Sequence, residues 1–143
     1  MSSGQPHSAN PSAVIGNGID LVSVKRIGAT VARHPERFAR KILSAAEFED
    51  FVERGKKVQD LAKYFAVKEA AAKALGTGMG AGVYWPQIEL RRKPVSGAPL
   101  LSLSGAALER MTKLGGAAAV VSLADEGDLV IASVVIGARR LSE

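Results

Sequence analysis

The segment Val58 to Leu75 constrains the fold more than any other part of this chain. Its alanine-rich interior has high helix propensity, and Gly76 follows where a helix of that length needs a left-handed cap. On a wheel of ~100° per residue, Leu61, Ala72, Phe65, Val58, Ala62 and Ala66 occupy an apolar stripe about 140° wide. Glu69 falls at about 80°, in the middle of that stripe. A carboxylate aimed into a core costs several kcal/mol, roughly, unless a cation or hydrogen-bond donors meet it. Glu69 therefore answers either to a salt bridge or to a metal or proton-transfer site. Lys63, near the opposite flank of the wheel, is an ordinary exposed lysine.

The elements around this helix follow from local signals. Val14-Ile15-Gly16-Asn17-Gly18-Ile19-Asp20 favours a strand, with Gly16, Gly18 and Asp20 on one face and Ile15, Asn17 and Ile19 on the other. The glycine face leaves room for a ligand to approach the backbone. Asp20 then has two readings, a cap for the next helix or a ligand-facing carboxylate. Ser23 can cap a helix that runs to about His34, where Pro35 interrupts it. Ser44-Ala45-Ala46-Glu47 matches a capping box before a short helix that stops near Gly55. Beyond a loop containing Gly76, Gly78, Gly80 and Gly82, strands are expected at Gln87 to Arg92 and Pro99 to Leu103. A helix is expected from Gly105 to Leu114, then strands at Ala118 to Leu123 and Leu129 to Ile136. This order lacks the regular rhythm of a doubly wound sheet, so the fold class is α+β. Residues 1–13 are small, polar and Pro-containing, and read as a flexible tail before a single domain at 14–143.

Composition narrows the chemistry. The chain has no cysteine and only two histidines, which excludes zinc–thiolate sites, cysteine nucleophiles and multi-histidine metal sites. No apolar run approaches the ~18–20 residues of a membrane span, so a soluble, cytoplasmic chain without a membrane partner is expected. The glycines after Leu75 follow a helix instead of joining strand to helix, which removes the Rossmann and P-loop contexts. No Gly-x-Ser-x-Gly elbow occurs. Two carboxylates, Asp20 and Glu69, are too few to enclose Ca²⁺ but are what Mg²⁺ commonly uses when waters and substrate phosphates complete its shell. Between Lys25 and Lys41, six basic residues stand against Glu36 alone, and this stretch accounts for the whole net charge of +5. Arg26, Arg33, Arg37 and Arg40 thus read either as a solvated face or as a docking face for something acidic. Phe38 is the only aromatic there, which argues against a nucleic-acid partner.

Gly18-Ile19-Asp20 and the run from Phe65 to Gly78 (FAVKEAAAKALGTG) resemble the two signature motifs of the 4′-phosphopantetheinyl transferases, specifically the short type that acts on acyl carrier protein. The likeness spans Val14 to Ile136 and contains one copy of the motifs. It implies a small antiparallel-rich sheet packed against one long helix. It also implies transfer of 4′-phosphopantetheine from coenzyme A to a serine of apo acyl carrier protein, with release of adenosine 3′,5′-bisphosphate, in service of fatty acid biosynthesis.

By that resemblance Asp20 and Glu69 are magnesium ligands and Glu69 and Lys73 are the catalytic residues. A metal-bound water or Glu69 itself removes the serine proton. Lys73 contacts the pyrophosphate, reaching it by snorkelling from the edge of the stripe, and Gly76, Thr77 and Gly78 lie near the nucleotide. The Arg26 region docks acidic acyl carrier protein, and short members are homotrimers with active sites between subunits. Tyr64 departs from the arginine usual at its place. Asp125 stands where some members carry histidine and is assigned no catalytic role. Leu21 and Val22 are apolar where longer relatives add an acid, so water takes that coordination position. The competing reading is a non-catalytic basic module that binds an acidic protein or nucleic acid.

Overall fold

The computed structural model describes residues 14–138. The expectation for residues 1–13 falls outside them. The chain folds as β1 (Val14–Ser23), α1 (Val24–Arg33), α2 (Arg37–Ile42), α3 (Ala45–Glu53) and α4 (Val58–Leu75). A 3-10 turn at Trp85–Gln87 leads into β2 (Ile88–Arg92), β3 (Pro99–Leu103), α5 (Gly105–Lys113), β4 (Gly116–Glu126) and β5 (Leu129–Ala138). The architecture is α+β. One antiparallel sheet has the order β1-β5-β4, and β2 and β3 form a separate hairpin.

Helix α4 is the axis of the core. Leu61, Ala62, Ala66, Val67, Ala70 and Ala72 are fully buried, because small side chains let neighbouring elements approach from several sides at once. The sheet lies against it through its inner face. There Val130, Ala132, Val134 and Ile136 of β5 are buried, paired with Val22, Asp20, Gly18 and Gly16 of β1. Helix α4 ends at Gly76, whose φ of 78° supplies the left-handed cap. The guanidinium of Arg110 on α5 donates to the Leu75 carbonyl at 2.9 Å, satisfying one of the helix's last free acceptors.

The glycine face of β1 has a different purpose from the one expected. A Cβ on Gly16 would stand 2.4 Å from the carbonyl oxygen of Ala74, and one on Gly18 would stand 2.0 Å from that of Ala70. The space these glycines leave is filled by the backbone of α4, not by a ligand. Strand and helix lie closer than any residue with a side chain allows. Asp20 does not cap α1 either. Ser23 takes that role, its hydroxyl oxygen accepting from the Arg26 N–H at 3.3 Å. Asp128, from the β4–β5 turn, accepts from the Ser23 hydroxyl at 2.6 Å and from the Lys25 N–H at 2.9 Å.

The opposite face of the sheet is open. Ile19, Leu21, Val120, Leu129 and Ile131 project from it and are exposed. Helix α2 is an element that the sequence pattern does not anticipate. It forms where Ala39 and Ile42 are buried beside α1 and the first turns of the core. The Ser44–Glu47 capping box is present in full at the start of α3. Among the described residues no helix is long and apolar enough to cross a membrane.

The close approach yields a stability prediction. Gly18→Ala should destabilise the protein by at least about 3 kcal/mol, the upper end of ordinary overpacking, because backbone atoms on both sides have to move. Gly28→Ala, whose new Cβ meets only Val58 at 3.6 Å inside α1, should be neutral or slightly stabilising. Urea denaturation of the two variants beside the parent checks this; equal midpoints for both would contradict it.

Candidate active site

The β1–α4 contact sets two carboxylates by geometry alone. Asp20 follows Gly18 by two residues on the same strand face, and Glu69 immediately precedes Ala70, the residue Gly18 abuts. Both line one cleft of about 460 Å³ between the end of β1, helix α1 and helix α4. Its walls include Phe38 and Phe65, whose rings lie 5.9 Å apart, and its rim carries Arg26 and Arg33. The strand and the helix thus bring together the two residues that the sequence pattern picks out 49 positions apart.

Glu69 has no ion pair among the described residues. Its Oε1 accepts a hydrogen bond from the indole Nε1 of Trp85 at 3.2 Å. Burial pushes its proton affinity above the usual carboxylate range, and the charge of Asp20 adds to that; the Trp85 hydrogen bond and the Lys73 charge oppose it. The repulsion from Asp20 means that the two carboxylates sense each other across the cleft. Lys73, one turn beyond Glu69 on α4, donates to Asp20 Oδ1 and to the Ile19 carbonyl, both at 3.0 Å. Its side chain is about half exposed (54%) while that of Asp20 is 15% exposed. A half-exposed lysine thus covers the Asp20 carboxylate.

The remaining expected residues are distributed around this centre. Gly76, Thr77 and Gly78 sit at the C-terminal end of α4, roughly 10 Å along the helix from Glu69. The turn is held by a bond from the Gly78 N–H to the Ala72 carbonyl at 3.2 Å and one from the Thr77 hydroxyl to the Gly78 carbonyl at 2.8 Å. Arg26, Arg33 and Arg37 are exposed. Arg40 is exposed as well but engaged, since its guanidinium pairs with Glu36 at 3.3 Å and stacks 4.2 Å above the Phe48 ring. Tyr64 turns inward, away from solvent, and its hydroxyl donates to Asp50 at 3.1 Å. Lys63 is partly covered and pairs with Asp125 at 3.3 Å.

Two residues that support the site escaped the sequence reading. Lys68 is fully buried, its ammonium donating to Glu47 at 2.7 Å, to the Trp85 carbonyl at 2.9 Å and to the Ile88 carbonyl. Burial pushes its pKa down, against the pull of Glu47. The signal was available, because Lys68 falls at about 340° on the same wheel, beside Leu61. Trp85 carries no periodic signal, and only its being the single tryptophan sets it apart.

The donor set fits a hard divalent cation. Two carboxylates line one cleft, Asp20 pairs with the Lys73 ammonium, and among the described residues no cysteine or histidine lines the cleft. Among the described residues no group of three or more His, Cys, Asp or Glu could hold a metal by itself. An ion here would take its other ligands from water and from phosphate oxygens, as Mg²⁺ does.

The family model of the 4′-phosphopantetheinyl transferase superfamily matches residues 16–131. A holo-[acyl-carrier-protein] synthase of Shewanella oneidensis is 42% identical over 127 residues, covering 89% of this chain and 99% of that protein. Among solved structures, holo-[acyl-carrier-protein] synthase from Neisseria meningitidis superposes with a TM-score of 0.78 at 38% identity, over 86% of this chain and 98% of that one. The Helicobacter pylori enzyme, solved in complex with coenzyme A, gives 0.72 at 32% identity, over 84% and 98%. The chain belongs to the 4′-phosphopantetheinyl transferase superfamily, in its holo-[acyl-carrier-protein] synthase branch, and is an enzyme. The reading as a non-catalytic basic module is set aside.

The raised proton affinity of Glu69 has a sign that can be tested. The folded chain binds this proton more readily than the unfolded chain does, so the contribution of Glu69 is most favourable below the unfolded carboxylate pKa. It is lost as pH rises through the raised folded value. With chelator present, Glu69→Gln should melt higher than the parent at about pH 7.5, and the gap should close towards about pH 4. Thermal melts across that range measure it; a parent that melts higher than the variant at pH 7.5 would contradict the assignment.

Proposed function

We propose that this chain transfers the 4′-phosphopantetheine of coenzyme A to a serine hydroxyl of apo acyl carrier protein in a Mg²⁺-dependent reaction. The convergence of Asp20 and Glu69 on one cleft, from a strand and a helix remote in sequence, is the observation that carries this reading. A new bond forms between the serine oxygen and the phosphorus that bears pantetheine. The diphosphate bond breaks, and adenosine 3′,5′-bisphosphate leaves with the electron pair. The serine proton passes to Glu69 or to a water held beside it, a role for which the raised proton affinity of Glu69 is suited. Coenzyme A is a co-substrate here, and the nucleophile belongs to the partner, which accounts for the absence of a serine elbow in this sequence.

Asp20 and Glu69 would hold Mg²⁺, which when bound supplies charge neutralisation for the diphosphate. Lys73 exchanges its bond to Asp20 for a phosphate oxygen, which its half-exposed stem and position one turn from Glu69 permit. Gly76, Thr77 and Gly78 offer an open backbone turn to the nucleotide, since a Cβ at Gly78 would meet nothing within 4 Å. Arg26 and Arg33 on the rim of the cleft, with Arg37 beside them, form the docking face for the acidic carrier protein. Arg40 joins that face once released from Glu36.

The open sheet face supports the homotrimer. Leu21 pairs with Ile131, Ile19 is two residues along β1 on the same face, and Val120 pairs with Val135 further along that face; a second copy of the chain would remove this apolar area from water. Asp20 lies beside Ile19 at the border of that face, so a neighbouring subunit would close the cleft. A cytoplasmic location belongs to the same reading.

Two measurements test these statements. Intact mass of apo acyl carrier protein after incubation with coenzyme A, Mg²⁺ and enzyme should rise by one phosphopantetheine. Asp20→Asn and Glu69→Gln should each lower that rate by about 100-fold or more while keeping the fold, the scale of losing a metal or charge-stabilising group; full activity in either would remove the metal assignment. In sedimentation, the parent should run near three times the 14.9 kDa chain mass, and Val120→Lys should shift it towards the monomer. A monomeric parent would contradict the assembly.

A further inference from the structure

Trp85 and the buried pair behind it touch the site without being part of the reaction described above. Lys68 and Glu47 are 0% and 2% exposed. A buried ion pair of this kind rarely adds net stability, because desolvation offsets the attraction, so its presence asks for a structural reason. The pair is well satisfied. Glu47 accepts from Lys68 at 2.7 Å, from the Ser44 N–H at 2.9 Å and from the Leu90 N–H at 2.7 Å. The ammonium of Lys68 spends another of its donors on the carbonyl of Trp85 at 2.9 Å.

Consecutive residues of α4 therefore grip opposite ends of one tryptophan. Lys68 holds the main-chain oxygen of Trp85, and the Glu69 carboxylate takes its indole N–H at 3.2 Å. The ring is further flanked by the Lys41 ammonium, 5.3 Å from its centroid, and by the edge of Tyr84. The turn that carries it is pinned to α5, since the Gln87 side chain accepts from both the Tyr84 and the Ala107 N–H groups. The main chain of Trp85 is thus held by Lys68 and its indole by Glu69, with the ring partly buried between Lys41 and Tyr84.

We infer that Trp85 is a positioning residue: its indole N–H engages Glu69 Oε1 and so presents the other carboxylate oxygen to the cleft, while the buried Glu47–Lys68 pair holds Trp85 in place. A carboxylate with one oxygen already bonded keeps a fixed plane, which is how partners of metal ligands prepare a ligand for its ion. The inference rests on the reading of Asp20 and Glu69 as divalent-cation ligands.

Trp85→Phe keeps the ring and removes only the N–H. With coenzyme A present, Mn²⁺ used as the probe ion should bind this variant about 10-fold more weakly than the parent by calorimetry, the scale of losing an outer-shell partner. Its thermal melt should match the parent. The second readout uses the parent fold. The chain has a single tryptophan, so its indole N–H gives one resonance, which should move when Glu69→Gln is introduced and when Mg²⁺ and coenzyme A are added. Unchanged Mn²⁺ affinity in Trp85→Phe, alongside lost binding in Glu69→Gln, overturns the positioning role and leaves the cation site standing. An indole resonance unmoved by Glu69→Gln overturns it as well. Absence of Mn²⁺ binding by the parent overturns the cation site itself and the inference with it.

Discussion

The contact on which the structure depends is the one between the backbone of β1 and the backbone of α4. Gly16 and Gly18 lie so close to the Ala74 and Ala70 carbonyls that a methyl group has no room. This proximity is what brings Asp20 and Glu69 to one cleft, since each sits next to the point of contact on its own element. A strand bearing side chains there would stand off from the helix, and the carboxylates would part. The alanines of α4 complete the arrangement by allowing the sheet and the neighbouring helices to approach closely from other sides.

Around that contact, charge is arranged in two layers. The outer layer is solvent-exposed. Lys73, its side chain about half exposed, donates to Asp20, and Arg26 and Arg33 line the rim. The inner layer is rigid. Lys68 and Glu47 are shut off from solvent and hold the turn at Trp85 against α4. Glu69 stands between the layers, desolvated and without an ion pair among the described residues, with a neutral N–H donor in place of a countercharge. Its ionised form is a cost to the metal-free fold that the packing of α4 sustains. A cation held in the cleft would relieve that cost and would couple stability to ligand binding through this one side chain.

Much of this was legible from local rules. The long helix, its Gly76 cap and the Ser44–Glu47 capping box follow from propensity and hydrogen-bond accounting, which need no tertiary information. Glu69 was visible because a charge on an apolar helical stripe demands a partner. The same rule applied to Lys68 would have found the buried pair, but its partner Glu47 lies on another helix and no spacing rule links the two. The strand pattern of β1 shows that its glycines leave space on one face but not which neighbour fills it; only the packing of α4 does. Helix α2 is short and follows Pro35, and its formation comes from burying Ala39 and Ile42 more than from any local signal.

On the proposed reading, one divalent ion is shared by Asp20 and Glu69. Crystals grown with coenzyme A and Mn²⁺ test it directly, by anomalous scattering at the manganese edge. A shared ion gives a single peak in the cleft, with a carboxylate oxygen from each residue and at least one phosphate oxygen at roughly 2.0–2.3 Å, close to Mg–O bonding distance. A peak bonded to only one of the two carboxylates, or no peak while coenzyme A is bound in the cleft, would contradict it.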